Sequence, residues 1–87
     1  MTKTAVAGLV KGAAIDLAPL GVTVNNIQPG ATATDMTKEH TERVLPLIPL
    51  GRMGKTREVA GLVSYLASEE AGFITGASVT IDGGYSA

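Results

Sequence analysis

The sequence predicts an α/β protein whose two strands are parallel and belong to a larger sheet. Two segments have apolar residues at helical spacing, and two short segments are rich in β-branched residues. Their order is helix, strand, irregular segment, helix, strand. A strand, a crossover that contains a helix and a second strand make a parallel pair. Because a two-stranded sheet is rarely stable alone, this pattern is typical of the end of a larger α/β sheet.

The first helix is predicted from apolar residues that recur at helical spacing, namely Val6, Leu9, Val10, Ala13, Ala14 and Leu17. Gly8 and Gly12 lie one turn apart, and we expect another backbone to pack closely on that face, because glycine inside a helix costs about 1 kcal/mol relative to alanine. The helix should stop at residues 18–21, because Pro19 cannot continue it.

The first strand is predicted over residues 22–27, and Pro29 and Gly30 are expected to end it. Residues 31–49 are irregular, with a short helix predicted over residues 38–45. The two prolines of this segment, Pro46 and Pro49, favour an extended or turning path after that helix.

The second helix is predicted to start near Thr56, with Thr56 as its N-cap and Glu58 in its first turn. Its apolar stripe comprises Val59, Leu62, Val63 and Leu66. Residues 68–72 should end the helix, and the last strand is predicted over residues 77–81. Asp82, Gly83 and Gly84 close that strand.

Composition excludes several classes of site. The chain has 87 residues, a net charge of −1 and no cysteine, which rules out disulfides and thiolate metal sites. No clustered basic face indicates nucleic acid, and no long apolar run indicates a membrane span or a signal peptide. We therefore expect a soluble, cytoplasmic protein without a metal, since Asp35, Glu39 and Glu42 form no ligand cluster.

Six short motifs resemble, in order and spacing, the C-terminal portion of short-chain dehydrogenases/reductases, with the 3-oxoacyl-[acyl carrier protein] reductase group the most similar. They are residues 24–30 (VNNIQPG) followed by Thr34, residues 51–54 (GRMG), 58–60 (EVA), 65–68 (YLAS), 74–77 (ITGA) and 81–84 (IDGG). The resemblance covers residues 2–84 and implies a Rossmann-type, doubly wound parallel sheet. Residues 1–87 would then be the C-terminal segment of a single oxidoreductase domain, with the N-terminal dinucleotide-binding half absent.

The resemblance also implies site residues. Lys3 matches the lysine of the family's Tyr-x-x-x-Lys pair, which lowers the tyrosine pKa from about 10 and binds the nicotinamide ribose. The tyrosine would precede Met1, so the chain alone is expected to be inactive. The nicotinamide loop (residues 29–34) would line the nicotinamide end of the cofactor with Pro29, Gly30, Ala31, Thr32, Ala33 and Thr34.

The parent enzyme would use NAD or NADP, a choice that the chain leaves open, and the chain alone is not expected to bind either tightly. Its substrate would be a small carbonyl or alcohol under the lid (residues 35–50), whose apolar residues make an apolar substrate portion plausible. Family resemblance further implies a homo-oligomer. We expect neither nucleic acid nor membrane as a partner.

Alternatives remain open. The chain could act as a non-catalytic association module through its two helices and last strand, or be the remnant of a longer product. Taken singly, Lys3 would be a solvated lysine and Thr34 an N-cap. His40 is expected in a solvated position and Tyr65 in a packing or interface role.

Overall fold

The order of elements is the predicted one. The computed structural model describes residues 2–32 and 36–87. Its helices and strands are α1 (Lys3–Leu17), β1 (Asn26–Pro29), α2 (Lys38–Val44), α3 (Thr56–Leu66) and β2 (Ser78–Ile81). Short 3-10 turns follow three of the helices, at Ala18–Leu20, Leu45–Leu47 and Glu69–Ala71. The short helix in the irregular segment is therefore confirmed, as is the last strand.

The two strands form a parallel pair. The N–H of Asn26 donates to the carbonyl of Ala77 at 2.9 Å, and the N–H of Gly30 donates to the carbonyl of Ile81 at 3.0 Å. Both partners advance together along the sequence, as parallel pairing requires. The predicted α/β class is confirmed.

The start predicted for the first strand is wrong. The strand begins at Asn26 rather than at residue 22. The Val24 N–H donates to a side chain, Thr75 Oγ1 at 3.0 Å, and the Val24 carbonyl accepts the Gly76 N–H at 2.8 Å, before β2 begins. The predicted end is confirmed, with Pro29 as the last residue of the strand. The N–H groups of residues 26 and 30 face β2, so the nitrogen of Pro29 faces the opposite edge, where a missing donor costs no ladder bond.

Helix α1 is capped by Thr2, whose Oγ1 accepts the Ala5 N–H at 3.1 Å. The predicted stop is confirmed, with Pro19 in the 3-10 turn that follows. Leu9, one of the apolar residues at helical spacing, is 65% exposed while Ala14 is buried, so these residues do not all face inward. No atom lies within 4 Å of a Cβ built on Gly8 or Gly12, so nothing among residues 2–32 and 36–87 packs closely on that face.

Helix α3 begins at Thr56, close to the predicted start. The prediction that Thr56 is the N-cap is wrong, because Thr56 is the first helical residue. Glu58 lies in the first turn and accepts the Lys55 N–H at 2.9 Å, as the reciprocal half of a capping box does. Glutamate at the third helical position thus replaces the expected threonine cap. Val63 is half-exposed and does not share the inward face of Val59 and Leu62.

The chain divides into two compact units, Met1–Ile27 with Val63–Val79 and Gln28–Leu62 with Thr80–Ala87. Ala14 and Ala71 are buried in the first unit, and Ile48 is buried in the second. No other side chain in the described part of the chain is buried to that degree. None of its helices has the length and apolar character needed to cross a membrane.

Candidate cofactor loop and its supports

Gly30, in the nicotinamide loop, follows β1 directly and belongs to the second unit. Its N–H donates to the Ile81 carbonyl at 3.0 Å. A Cβ built on Gly30 would lie 2.6 Å from the Cβ and 2.8 Å from the Cα of Asp82. Only glycine fits at this distance, so the loop begins in direct contact with the exit of β2.

Ala31 and Thr32 are held from the other side. The Gly54 N–H donates to the Ala31 carbonyl at 3.0 Å, and Thr32 and Gly54 form an isolated parallel bridge. The three-residue stretch from Gly30 to Thr32 is therefore fixed at both of its ends. Ala33 and Thr34 lie outside the described residues, as does Asp35, so the roles predicted for Ala33 and Thr34 stay predictions.

An ion pair supports residues 51–54, the segment whose Gly54 N–H holds Ala31. Arg52 donates to Glu58 through both guanidinium nitrogens, Nη1 to Oε1 at 2.8 Å and Nη2 to Oε2 at 2.9 Å. The Arg52 hydrogen bonds, followed by the Lys55 N–H, lower the pKa of Glu58 to about 2. The same pairing raises the pKa of Arg52. A bidentate arginine–carboxylate pair has a defined geometry, and it ties residue 52 to the first turn of α3.

Asp82 closes the turn after β2 with its carboxylate. Oδ1 accepts the Gly84 N–H at 2.9 Å, and Oδ2 accepts the Ser86 N–H at 3.0 Å and the Ser86 hydroxyl at 2.6 Å. Gly83 in this turn has φ of 65°. A residue with a Cβ would be strained there and would also meet Ile48 Cγ2 at 2.8 Å.

Two shallow cavities adjoin the loop. One of about 220 Å³ is lined by Pro29, Gly30, Thr32, Thr56 and Val59. The other, of about 100 Å³, lies among Ala31 and Thr32, the Arg52–Glu58 segment and the exit of β2. Both are smaller than the roughly 300 to 1,000 Å³ typical of complete ligand sites. Each is thus one wall of a site at most.

Lys3 is the first residue of α1, and its side chain is exposed. It belongs to the first unit, whereas Pro29, Gly30, Ala31 and Thr32 belong to the second. The loop residues are therefore brought together by contacts within their own unit. The catalytic role of Lys3 stays a prediction.

Sequence reasoning did not identify Asp82, Arg52 and Glu58 as supports of the loop. A usable signal was present for Asp82, since an aspartate before two glycines and four residues before a serine is typical of a side-chain-closed turn.

The acidic residues of α2 lie apart from the loop's supports. Glu39 forms an exposed ion pair with Arg43, with 3.9 Å between Glu39 Oε1 and Arg43 Nη2. Among residues 2–32 and 36–87, no group of histidine and acidic side chains is arranged to hold a metal.

Comparison with known proteins places these features in a family. The sequence profile described as enoyl-(acyl carrier protein) reductase matches residues 1–86. A 3-oxoacyl-[acyl-carrier-protein] reductase of Staphylococcus aureus is 44% identical over 87 residues, which is 95% of this chain and 35% of that protein.

Solved structures agree in fold. A short-chain dehydrogenase/reductase from Serratia marcescens superposes with a TM-score of 0.90 at 51% identity, over 98% of this chain and 36% of that one. A blue fluorescent protein from a metagenomic library, solved in complex with NADPH, superposes with a TM-score of 0.89 at 36% identity, over 98% of this chain and 36% of that one. The chain thus spans about a third of the length of these relatives. With a profile match over nearly all of its residues, the chain belongs to the short-chain dehydrogenase/reductase family.

Proposed function

We propose that this chain forms the nicotinamide-side wall and the substrate lid of an NAD(P)-dependent oxidoreductase. The whole enzyme moves a hydride between the nicotinamide ring and a carbonyl or alcohol carbon. The observation that carries this proposal is the fixed geometry of Gly30, Ala31 and Thr32 within a chain 51% identical to a short-chain dehydrogenase/reductase. A loop held in place before the ligand arrives loses less entropy on binding.

The described part of the loop would lie against one face of a nicotinamide ring. Pro29, Gly30 and Thr32 line an open cavity, and none of the described residues in its wall is charged. The related blue fluorescent protein was solved with NADPH, which supports a nicotinamide dinucleotide as the ligand class. The bound cofactor would supply the hydride, while the loop would orient the ring and exclude water from one side.

Lys3 would hold a positive charge beside a tyrosine supplied four residues earlier on the same helical face. Such a charge stabilises a phenolate and brings the tyrosine pKa closer to neutral, where it can exchange protons efficiently.

An acyl substrate such as a 3-oxoacyl thioester is the finer proposal. The lid presents Leu47 and Leu50 to solvent, with 58% and 69% of each residue exposed. Ile48, also in the lid, is buried and so unavailable to a substrate. Exposed leucines on a lid favour a substrate with an apolar chain. The similar protein from Staphylococcus aureus is a 3-oxoacyl-[acyl-carrier-protein] reductase, which supports the same substrate class.

A chimera tests the enzymatic proposal. The N-terminal part of the Serratia marcescens enzyme, ending just before the segment matched here, would be joined to this chain. The chimera should reduce a 3-oxoacyl substrate with NADH or NADPH. Lys3→Ala should lower kcat roughly a hundredfold or more, whereas Lys38→Ala, at an exposed lysine of α2, should not. A folded, cofactor-binding chimera that is indifferent to Lys3→Ala would contradict the proposal.

Self-association is the second candidate function, favoured by one observation. Leu9 and Ile15 on α1 are 65% and 74% exposed, and exposed apolar side chains on one helix favour burial in an interface. The edge of β1 opposite to β2 could contribute further pairing.

Sedimentation velocity tests this candidate. The chain should self-associate at micromolar concentration, and the double substitution Leu9→Lys with Ile15→Lys should shift it towards monomer. Glu42→Gln, at an exposed position of α2, changes the charge without removing apolar surface and serves as the control. A monodisperse monomer would reject self-association and leave the enzymatic proposal standing.

A further inference from the structure

We propose that Asp82 is a positioning residue that holds the start of the nicotinamide loop and the end of the lid in one fixed arrangement. This inference rests on the proposed function for its purpose. Its structural content, however, concerns only contacts within the second unit. Asp82 would act through its turn and not by touching cofactor or substrate.

The carboxylate of Asp82 sets the shape of the turn at residues 82–86. Within residues 36–87 it accepts hydrogen bonds from the Gly84 N–H at 2.9 Å, the Ser86 N–H at 3.0 Å and the Ser86 hydroxyl at 2.6 Å. The Asp82 carbonyl accepts the Tyr85 N–H at 3.2 Å. Hydrogen bonds to a charged acceptor are stronger than neutral ones, so this turn depends mainly on one side chain.

The turn contacts the nicotinamide loop on one side. Gly30 lies so near that a built Cβ would fall 2.8 Å from Asp82 Cα. The same glycine donates its N–H to Ile81, the residue before Asp82. A displacement of Asp82 would therefore carry Gly30 with it.

The turn contacts the lid on the other side. The Leu50 N–H donates to the Gly83 carbonyl at 3.0 Å. The Cα of Gly83 also faces the buried Ile48 of the lid, and Gly84 faces the ring of Pro49. The end of the lid thus rests on the two glycines that the Asp82 carboxylate holds in their turn.

Loss of the carboxylate should loosen both segments together. Neither Gly30 nor Leu50 bonds to the carboxylate directly, so a simultaneous response would identify the turn as their common support. The first turn of α3 is held by the Arg52–Glu58 pair and not by the Asp82 carboxylate. Exchange at the amides of α3 therefore serves as the internal reference.

Amide hydrogen exchange on the 87-residue chain, without cofactor, tests this proposal. Asp82→Ala should speed exchange at Gly30 and Leu50 by at least about tenfold relative to α3 amides, because local opening sets the exchange rate. Asp82→Asn keeps one oxygen for the Gly84 N–H and should restore part of the protection. Asp16→Ala, at an exposed aspartate of α1, should leave both ratios unchanged.

Unchanged ratios in Asp82→Ala, or a response at only one of the two amides, would overturn the proposal. Should Asp82→Ala unfold the chain, Ser86→Ala decides instead, because it removes a single hydroxyl bond. It should speed exchange at Gly30 and Leu50 in the same direction by a smaller factor, and equal exchange in Ser86→Ala and the wild type would reject the proposal. Since no cofactor is present, failure of the oxidoreductase proposal leaves this result unaffected, and the converse holds.

Discussion

Asp82 lies against Gly30 with no space for a side chain between them. A Cβ on Gly30 would meet the backbone of Asp82 at 2.8 Å, and backbone cannot move aside as the tip of a flexible side chain can. The Gly30 N–H is at the same time fixed to Ile81. The exit of the neighbouring strand therefore sets the position of Gly30, where the nicotinamide loop leaves β1.

Gly30→Ala should destabilise the chain by about 1 to 3 kcal/mol, as overpacking at a tight contact does. Gly61→Ala is the matched control, because no atom lies within 4 Å of a Cβ built there and the residue is inside α3. The control should be neutral or stabilising. Urea denaturation followed by circular dichroism measures both, and equal stability of the two variants would show that the contact with Asp82 relaxes without cost.

Asn25→Ala should lower the free energy of unfolding by about 1 to 3 kcal/mol, because the Asn25 side chain makes two hydrogen bonds to the backbone just before β2. Its Nδ2 donates to the Ile74 carbonyl and its Oδ1 accepts the Ala77 N–H, each at 3.1 Å. Asn26→Ala is the neighbouring control, since the buried Nδ2 of Asn26 has no hydrogen-bond partner among residues 2–32 and 36–87. Chemical denaturation should rank Asn25→Ala well below Asn26→Ala in stability, and the reverse order would contradict this assignment.

The Arg52–Glu58 pair should make stability depend on acid pH. The pKa of Glu58 falls from an ordinary 4.5 to about 2 through its Arg52 and Lys55 hydrogen bonds. Folding thus gains from the ionised carboxylate fully above pH 4.5, and the gain disappears as the pH drops towards about 2. The effect should be modest, because both side chains are partly exposed.

Thermal melts of the wild type and Glu58→Gln at pH 7, 4.5 and 2 measure this gain. The difference in Tm should be largest at pH 7 and should shrink between pH 4.5 and 2. Added salt at pH 7 should reduce it as well, because exposed charges are screened. A Tm difference that stays constant across this range would assign the effect of the substitution to something other than the ion pair.

Gly8→Ala and Gly12→Ala should each stabilise an unassociated chain by about 0.5 to 1 kcal/mol. Both glycines lie inside α1 with open space where a Cβ would stand, so alanine gains helix propensity without a clash. Gly83→Ala, with φ of 65° and Ile48 Cγ2 at 2.8 Å, should lower stability in the same thermal melts. A destabilising Gly8→Ala would indicate that a second chain packs on this face.

The order of elements could be predicted because it depends on local signals. Helical spacing of apolar residues, the stop at Pro19 and the β-branched approach to Ile81 each lie within a few adjacent residues. Exact boundaries depended on partners far along the chain. Val24 and Asn25, just before β1, bond to Thr75 and Ile74, which precede β2 and do not belong to its ladder. No local sequence pattern records a partner about fifty residues away.

By itself, the sequence determined the α/β class, the parallel pair and the family, since patterning and motif order suffice for these. Only the tertiary structure decided which sides of the helices are exposed, as the outward Leu9 and Val63 illustrate. It also decided that Gly30 is held by Asp82. That contact exists only when β1 and β2 pair across a long crossover. Neither segment alone favours it, because the pairing is stabilised by the folding of the whole chain.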